Sequence, residues 1–553
     1  MSNDTISTTA RPNILWISTH DINPDLSCYA GIWSGAEYAH TPNLDKLTAE
    51  GVRFDQAYAT TPVCAPSRSA IMTGMFPTAI GTMHMRTHAV PPPEVHVFTE
   101  YLRAAGYYCT NNAFTDFQFR TPVTAFDDCS PNGHWRNRPN LQQPFFAAFH
   151  GMVTHESQVY ADEEQYCKNT ARLPPEERHD PATAPIPPYY PDTPIFRQAF
   201  AHYSDNITAM DYWVGDILDQ LEEDGLAQNT LVVFWSDHGR GFPRAKRWPY
   251  EAGLRVPLLV RWPGKIAPGT IYHEPVYAMD LTATMLKVVG LPIPEYMHSK
   301  PLFDEQGRFA SPHTYIFGAR DRMDEQEDTS RTVRDERFRY IRNYHPDRPY
   351  FQHNEYAEHM ATWQELRQMR FKESQLLSQG ENHHLLNETQ RQFLAAHKPA
   401  EELYDLANDP HEIHNLANDP RYTPVIKRLR QAIEEWQEEY GDLGMRPEEE
   451  LVESWRPGGK MQVTAAPEIK IEDGLVVATC PTAGASIGWT SNPPPASEAE
   501  TNWLVKAVGG PNTEGRYWRL YSGPFLVPEG QTLWFRAHRL GFRESRDIMV
   551  SIN

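Results

Sequence analysis

The period of apolar and polar positions changes along the chain. Residues 13–18 (NILWIS) form an unbroken apolar run of buried-strand length. Residues 41–51 (TPNLDKLTAEG) read as a helix, with Thr41 as its cap, Pro42 in the first turn and Gly51 as its stop. Residues 107–113, 144–149, 231–236 and 256–262 are further strands. Between them Ile207, Met210, Val214, Ile217 and Leu221 recur at steps of three and four, one apolar helix stripe that Gly225 ends. Strands alternating with helices predict an α/β fold with a largely parallel sheet.

Two segments break this rhythm. Residues 173–194 are dense in proline and predict a loop or arm lying over the surface. Residues 321–331 form a charged loop, followed by a strand over 338–344 and a helix over 422–440. From about residue 460 the short runs GLVVATC, ASIGWTS, TLWFRAH and DIMVSIN, separated by Pro and Gly, predict a small all-β module. The chain divides on this reading into 11–345, an α/β unit, 346–458, a smaller subdomain, and 460–553, the β module.

Composition narrows the function. The chain has 553 residues, 40% hydrophobic and 22% charged, as expected for a globular protein with a large core. It contains no apolar run of membrane-spanning length. Residues 1–11 are polar and lack the apolar stretch of a signal peptide. The sequence as written therefore predicts a cytoplasmic protein, and a periplasmic or secreted one if a leader has been removed. The net charge of −21 argues against nucleic-acid binding. An anionic substrate would need a local basic patch to overcome that field. The six cysteines (Cys28, Cys64, Cys109, Cys129, Cys167, Cys480) lack paired metal-site spacing, and five of them read as reduced thiols.

Three stretches carry candidate chemistry. In Cys64-Ala65-Pro66-Ser67-Arg68, followed by Thr73-Gly74, Pro66 suits a first helical turn. Cys64 then stands at a helix N-terminus, where free amides and the dipole favour an anion. Asp21 follows the strand NILWIS, and Asp237-His238-Gly239 follows LVVFWS. Both lie at carboxyl ends of strands, where α/β folds place ligands, although a D-H-G can also be a turn with a capping Asp. Arg240, Arg244, Lys246 and Arg247 fall within eight residues, either a patch for an anion or a solvated surface run.

The C-x-P-S-R with its T-G, the Asp after the first strand, T-P-N-L-D-K-L, D-H-G and Y-E-x-G-x-R-V-P-L together resemble the type I sulfatases of the alkaline-phosphatase-like superfamily. The resemblance spans roughly residues 11–455, includes ELYDLANDPHE at 402–412, and points toward the heparan N-sulfatase-like branch and bacterial polysaccharide sulfatases. It implies a large mixed, mostly parallel sheet flanked by helices. It also implies that a formylglycine-generating enzyme oxidises Cys64, whose hydrate carries two hydroxyls, one to attack sulfur and one to expel sulfate. By the same resemblance, Asp21, Asp237, His238 and modified Cys64 hold a divalent cation, Ca²⁺ by family habit with Mn²⁺ or another ion as the alternative, and His20 either joins them or only lines the site. Arg68 activates the modified residue, Lys246 contacts sulfate and His155, after PFFAAF, protonates the leaving oxygen. His84, Arg86, Asp116, Arg240 and Arg244 are the expected substrate contacts.

Three departures stand out. His20-Asp21 replaces an acidic pair, His238 stands where many relatives have Asn, and Phe114 and Asp116 replace a Lys and a His that touch sulfate and nucleophile. The final β module resembles chitobiase-type C-terminal domains, with Trp518, Tyr521, Trp534 and Phe535 as core residues or sugar-stacking ones. The expected function is removal of sulfate from a sulfated carbohydrate. The alternatives are a phosphonate monoester or phosphodiester hydrolase and a non-catalytic glycan-binding relative. Contacts between chains through the β module would make a homo-oligomer.

Overall fold

The computed structural model describes residues 11–381, 384–493 and 517–552. The polar N-terminal segment on which the leader reading rests lies, except for Arg11, outside the described residues. No helix among the described residues is long and apolar enough to cross a membrane.

The centre is a nine-stranded mixed sheet. Its strands are β1 (Asn13–Thr19), β2 (Val52–Tyr58), β3 (Tyr108–Asn111), β4 (Asp128–Cys129), β5 (Phe145–Gly151), β6 (Thr230–Ser236), β7 (Arg255–Val256), β8 (Leu258–Arg261) and β9 (Thr270–Tyr277). They run in the order β4-β3-β5-β1-β6-β8-β2-β7, with β9 also paired to β2. From β4 through β6 every pairing is parallel, whereas β8 joins β6 and β2 antiparallel. The central strands show no polar alternation because both faces are covered. Ile14, Trp16, Leu231, Val233 and Trp235 enter one core cluster. Leu15, Ile17, Val232 and Phe234 enter the other. The expected stripe from Ile207 to Leu221 is buried in that second core, on a helix that runs from Pro194 to Glu223.

The 41–51 helix forms as Pro42–Ala49 (α1), but Thr41 does not cap it. The Thr41 hydroxyl pairs with Ser27 at 2.7 Å. The free amides of Asn43 and Leu44 instead donate to the Asp211 carboxylate at 3.0 and 2.9 Å. Gly51 ends the helix by close packing: a side chain there would strike the Val260 carbonyl.

A second sheet, antiparallel, is built from β10 (Ile316–Arg320), β11 (Ser330–Arg334), β12 (Phe338–Asn343) and β13 (Glu401–Asp405). Three of its strands precede residue 345 and one follows it, so the chain crosses that boundary within one sheet. The helix Thr423–Tyr440 packs on it through Leu429 and Ile433. The proline-rich 173–194 segment holds only two short 3-10 turns among its described elements.

The end of the chain is all β, as its short runs predict. One sheet joins β14 (Glu468–Glu472), β15 (Leu475–Thr479) and β18 (Phe525–Leu526). The other joins β16 (Ala485–Thr490), β17 (Arg519–Leu520), β19 (Thr532–Arg539) and β20 (Ile548–Ser551). Trp518 and Phe535 are buried, Tyr521 packs against the core and Trp534 is half-buried. The module docks on the α/β unit: Arg103 donates to the Trp518 carbonyl, and Arg120 pairs with Glu544 at 2.7 Å.

Candidate active site

Parallel register decides which loops meet. Thr19 of β1 lies level with Gly151 of β5 and with Ser236 of β6. The loops that follow these strands therefore leave the same edge of the sheet, carrying His20-Asp21, His155-Glu156 and Asp237-His238. Against this edge stands α2 (Cys64–Thr73), buried along its whole length. Ser67 of α2 donates to the Asp237 carbonyl at 2.5 Å and fixes the helix to the β6 loop. Cys64 opens the helix behind Val63, which makes no side-chain cap, so the first-turn amides face the cluster uncapped.

The side chains converge around Cys64. Its Sγ lies 3.2 Å from His238 Nε2 and 3.9 Å from Asp21 Oδ1. Asp21, held at φ 54°, accepts the Glu156 amide at 2.7 Å and faces His238 Nε2 at 3.1 Å. His238 Nδ1 donates to the Gly239 carbonyl at 2.9 Å, which leaves Nε2 directed at the Asp21 and Asp237 carboxylates. Burial opposes the Cys64 thiolate, but Lys246 and His238 outweigh it and lower the pKa.

His20, Asp21, Cys64 and Asp237 each offer a ligand atom, all within 4.8 Å of one another and all buried. Asp237 Oδ2 and both ring nitrogens of His20 make no hydrogen bond. His20 Nδ1 and Asp237 Oδ2 approach to 3.1 Å. Carboxylates and imidazoles orphaned in this way fit a divalent cation.

Cations line the opposite side. Lys246 Nζ bridges Asp21 Oδ2 at 2.8 Å and Glu156 Oε1 at 2.7 Å. Arg247 grips Glu156 with both terminal nitrogens, at 2.9 and 3.0 Å. Burial alone would raise the Glu156 pKa; Arg247 and Lys246 overcome it and bring the carboxyl down to about 2. Burial likewise opposes the Lys246 charge, and Asp21, Cys64 and Glu156 hold it on. Arg68 donates Nε to the Thr115 carbonyl at 3.0 Å and Nη2 to His150 Nδ1 at 3.1 Å. Its Nη1 is buried without a hydrogen-bond acceptor, 3.8 Å from Asp237. Arg68, Lys246 and Arg247 thus put three cationic side chains beside Asp21, Glu156 and Asp237, a local concentration of positive charge within a chain of net charge −21.

The Lys and His absent at positions 114 and 116 are replaced by packing. The Phe114 ring lies 4.7 Å from the Arg68 guanidinium and 4.7 Å from the His20 ring, clamping both. Asp116 is buried near Arg68 and Arg86. His155 sits at the mouth, its Nδ1 bonded to the Ser157 amide at 3.3 Å and its ring beside His20. Burial lowers its pKa against the pull of Asp21.

Other expected contacts lie elsewhere. Arg240 is consumed by Asp25 at 2.6 Å and by Asn23, under Trp33 and Phe200. Arg244 donates to the His411 and Glu412 carbonyls beneath Tyr189 and Tyr250. Neither reaches the cluster, because each neutralises or caps buried groups behind it. His84 faces Arg322 and Glu448. Arg86 is exposed at the rim. Sequence reading missed Glu156, Arg247 as its partner, and His150, which accepts from Ser18 at 2.5 Å and donates Nε2–H to Asn111 at 2.7 Å. Their signal was position alone: His150 lies in β5, whose end carries the site, and Glu156 directly follows His155.

The family model described as sulfatase matches residues 12–130 and 134–291. A second, described as N-sulphoglucosamine sulphohydrolase, C-terminal, matches residues 241–370. The chain belongs to the sulfatase family. It is 38% identical to an ulvan-active sulfatase of Formosa agariphila, over 98% of this chain and 91% of that one. Solved structures share the sulfatase fold. One, in complex with its substrate D-glucosamine-2-N,6-O-disulfate, gives a TM-score of 0.55 at 18% identity, covering 79% of this chain and 100% of that one. A phosphonate monoester hydrolase from Silicibacter pomeroyi gives 0.54 at 18% identity, covering 79% and 97%. The protein is thus a sulfatase.

Proposed function

We propose that this sulfatase removes sulfate from a sulfated carbohydrate, with Cys64 matured to formylglycine by a formylglycine-generating enzyme. The observation that carries the reading is the position of Cys64 at the start of a buried helix, 3.2 Å from His238 and facing the Asp21 carboxylate. As formylglycine hydrate, residue 64 supplies one hydroxyl to attack sulfur and a second to release it. A divalent cation held by Asp21, Asp237, His20 and His238 together with residue 64 supplies Lewis-acid polarisation of a sulfate oxygen. Ca²⁺ is the proposed ion. The imidazoles of His20 and His238 add nitrogen donors, which make Mn²⁺ the alternative.

The chain's own residues do the rest. Arg68 Nη1, buried and without an acceptor, is available to a sulfate oxygen. Lys246 adds a second cation, held rigidly between Asp21 and Glu156. His155, whose Nδ1 accepts from Ser157, presents its other nitrogen to hydrogen-bond the bridging oxygen as the S–O bond breaks. The 38% identity to an ulvan-active sulfatase over nearly the whole chain supports a polysaccharide-derived substrate. The five cysteines other than Cys64, none of them in a disulfide, support a reducing compartment. Self-association through the β module is proposed as well, and gel filtration of the full chain tests it.

Peptide mass spectrometry across Cys64, after co-expression with a formylglycine-generating enzyme, tests the nucleophile: oxidation to the aldehyde loses about 18 Da. Sulfate release from sulfated oligosaccharides, run beside phosphonate monoesters, then tests the substrate. A thiol persisting at Cys64 despite active maturation would overturn the mechanism, and faster phosphonate turnover would overturn the substrate class.

A further inference from the structure

We propose that the rim of this pocket binds a second sugar, next to the sulfated one: Tyr356, backed by Tyr160, stacks on its ring, and Arg86 pairs with a negative charge that it carries. The proposal rests on the carbohydrate-sulfatase reading above and extends it to an anionic oligosaccharide.

Tyr356 is 38% exposed beside the catalytic cluster. Its centroid lies 6.4 Å from that of His155 and 6.3 Å from that of Tyr160, and His359 continues the row 6.5 Å from Tyr160. The Tyr160 and Tyr356 rings meet edge to face, which puts both in one wall. An aromatic ring partly open to water beside the cluster suits the apolar face of a pyranose.

The wall is braced from the catalytic side. Asn354 accepts the Ala357 amide at 2.9 Å and donates to Asp324 Oδ2 at 2.9 Å. Arg247, which grips Glu156, approaches the same Asp324 oxygen at 3.8 Å. The turn that carries Tyr356 is therefore fixed relative to Lys246 and Cys64 through Glu156, Arg247, Asp324 and Asn354. A stacking ring so anchored sets where the sulfate ester falls.

Arg86 lies near this wall. The residue is exposed, and no carboxylate among the described residues lies within ion-pair distance of its guanidinium, although Asp116, Cys64, Asp324 and Tyr356 are its electrostatic neighbours. Its backbone is held at φ 55°, a conformation that disfavours a side chain. The amide is pinned there by the Gln118 carbonyl oxygen at 2.7 Å, while the Gln118 amide group donates to the Thr82 carbonyl at 3.0 Å. An uncommitted cation on a strained, pinned backbone at the mouth of an anion site is placed for a second negative group on the substrate.

The test compares kcat/KM on nitrophenyl sulfate, on a sulfated disaccharide whose second ring is a uronate, and on one whose second ring is neutral. Tyr356→Ala is expected to lose at least about ten-fold more on the disaccharides than on nitrophenyl sulfate, and Tyr356→Trp to recover most of that loss. Arg86→Ala is expected to cut the preference for the uronate disaccharide about ten-fold. Equal losses on all three substrates, or no recovery with Trp, would overturn the proposal. Calorimetric binding of the uronate disaccharide reads the platform without turnover. Equal affinity for the wild type and Tyr356→Ala overturns the platform, whereas Tyr356-dependent binding without sulfate release overturns the hydrolase reading and leaves the platform standing.

Discussion

Replacing Glu156 by Gln removes one charge and almost no volume, and leaves Lys246 and Arg247 buried with less compensation. Glu156 contacts Lys246 at 2.7 Å and Arg247 at 2.9 and 3.0 Å, and all three side chains are buried. Its carboxyl is brought from 4.5 to about 2, which corresponds to roughly 3 kcal/mol of stabilising interaction. Breaking a buried pair by removing one partner costs about 3–5 kcal/mol on independent grounds, so the two figures agree. For an α/β unit of about 330 residues, unfolding entropy is large enough that 3 kcal/mol lowers Tm by only about 4 °C. Because Lys246 loses one of its two anchors, kcat/KM for sulfate esters should also fall, by about ten-fold or more. The pH dependence gives a sharper check. Glu156 has a depressed folded pKa, so its contribution is complete above the unfolded value of 4.5 and is lost as pH falls toward 2. Calorimetric scans of the wild type and Glu156→Gln should therefore differ by a constant amount from pH 6 to 8 and converge below about pH 4.5. Tm values that agree within about 1 °C throughout, or a gap that widens in acid, would refute the reasoning.

Three further outcomes follow from the same geometry. Asp237→Asn should lower the bound divalent metal, measured by mass spectrometry of the acid-digested protein, well below one ion per chain, and a chelator should lower both activity and Tm in the wild type only. His150→Ala removes the acceptor of Arg68 Nη2, and kcat is expected to fall about ten- to hundred-fold while KM for a small ester changes little. Gly239→Ala should give insoluble or inactive protein, judged by soluble yield, because a side chain there meets the Ala252 carbonyl, which the backbone cannot move.

Much of the site was legible because it lies on short contiguous motifs. Asp21, Cys64, Asp237, His238 and Lys246 all meet where the motifs implied, since strand ends and a helix start are local features that a few residues specify. Arg240 and Arg244 misled because an arginine beside a site looks the same in sequence whether it faces substrate or a buried Asp25. Phe114 read as a loss, yet its ring holds Arg68 in place, a role visible only once both side chains are placed.

By itself the sequence determined five of the runs that build the central sheet, the long apolar stripe from Ile207 to Leu221, the β module and the family, because apolar period and motif spacing are properties of neighbouring residues. Tertiary structure alone decided what completes them. Asp211 rather than Thr41 takes the α1 amides from far along the chain. Ser67 fastens the nucleophile helix to Asp237. Glu156 binds Lys246 and Arg247 into one cluster. These contacts join residues tens to hundreds of positions apart, or fix which way a side chain turns. Burial, which makes an unpaired charge or amide costly, selects them only after the chain has closed.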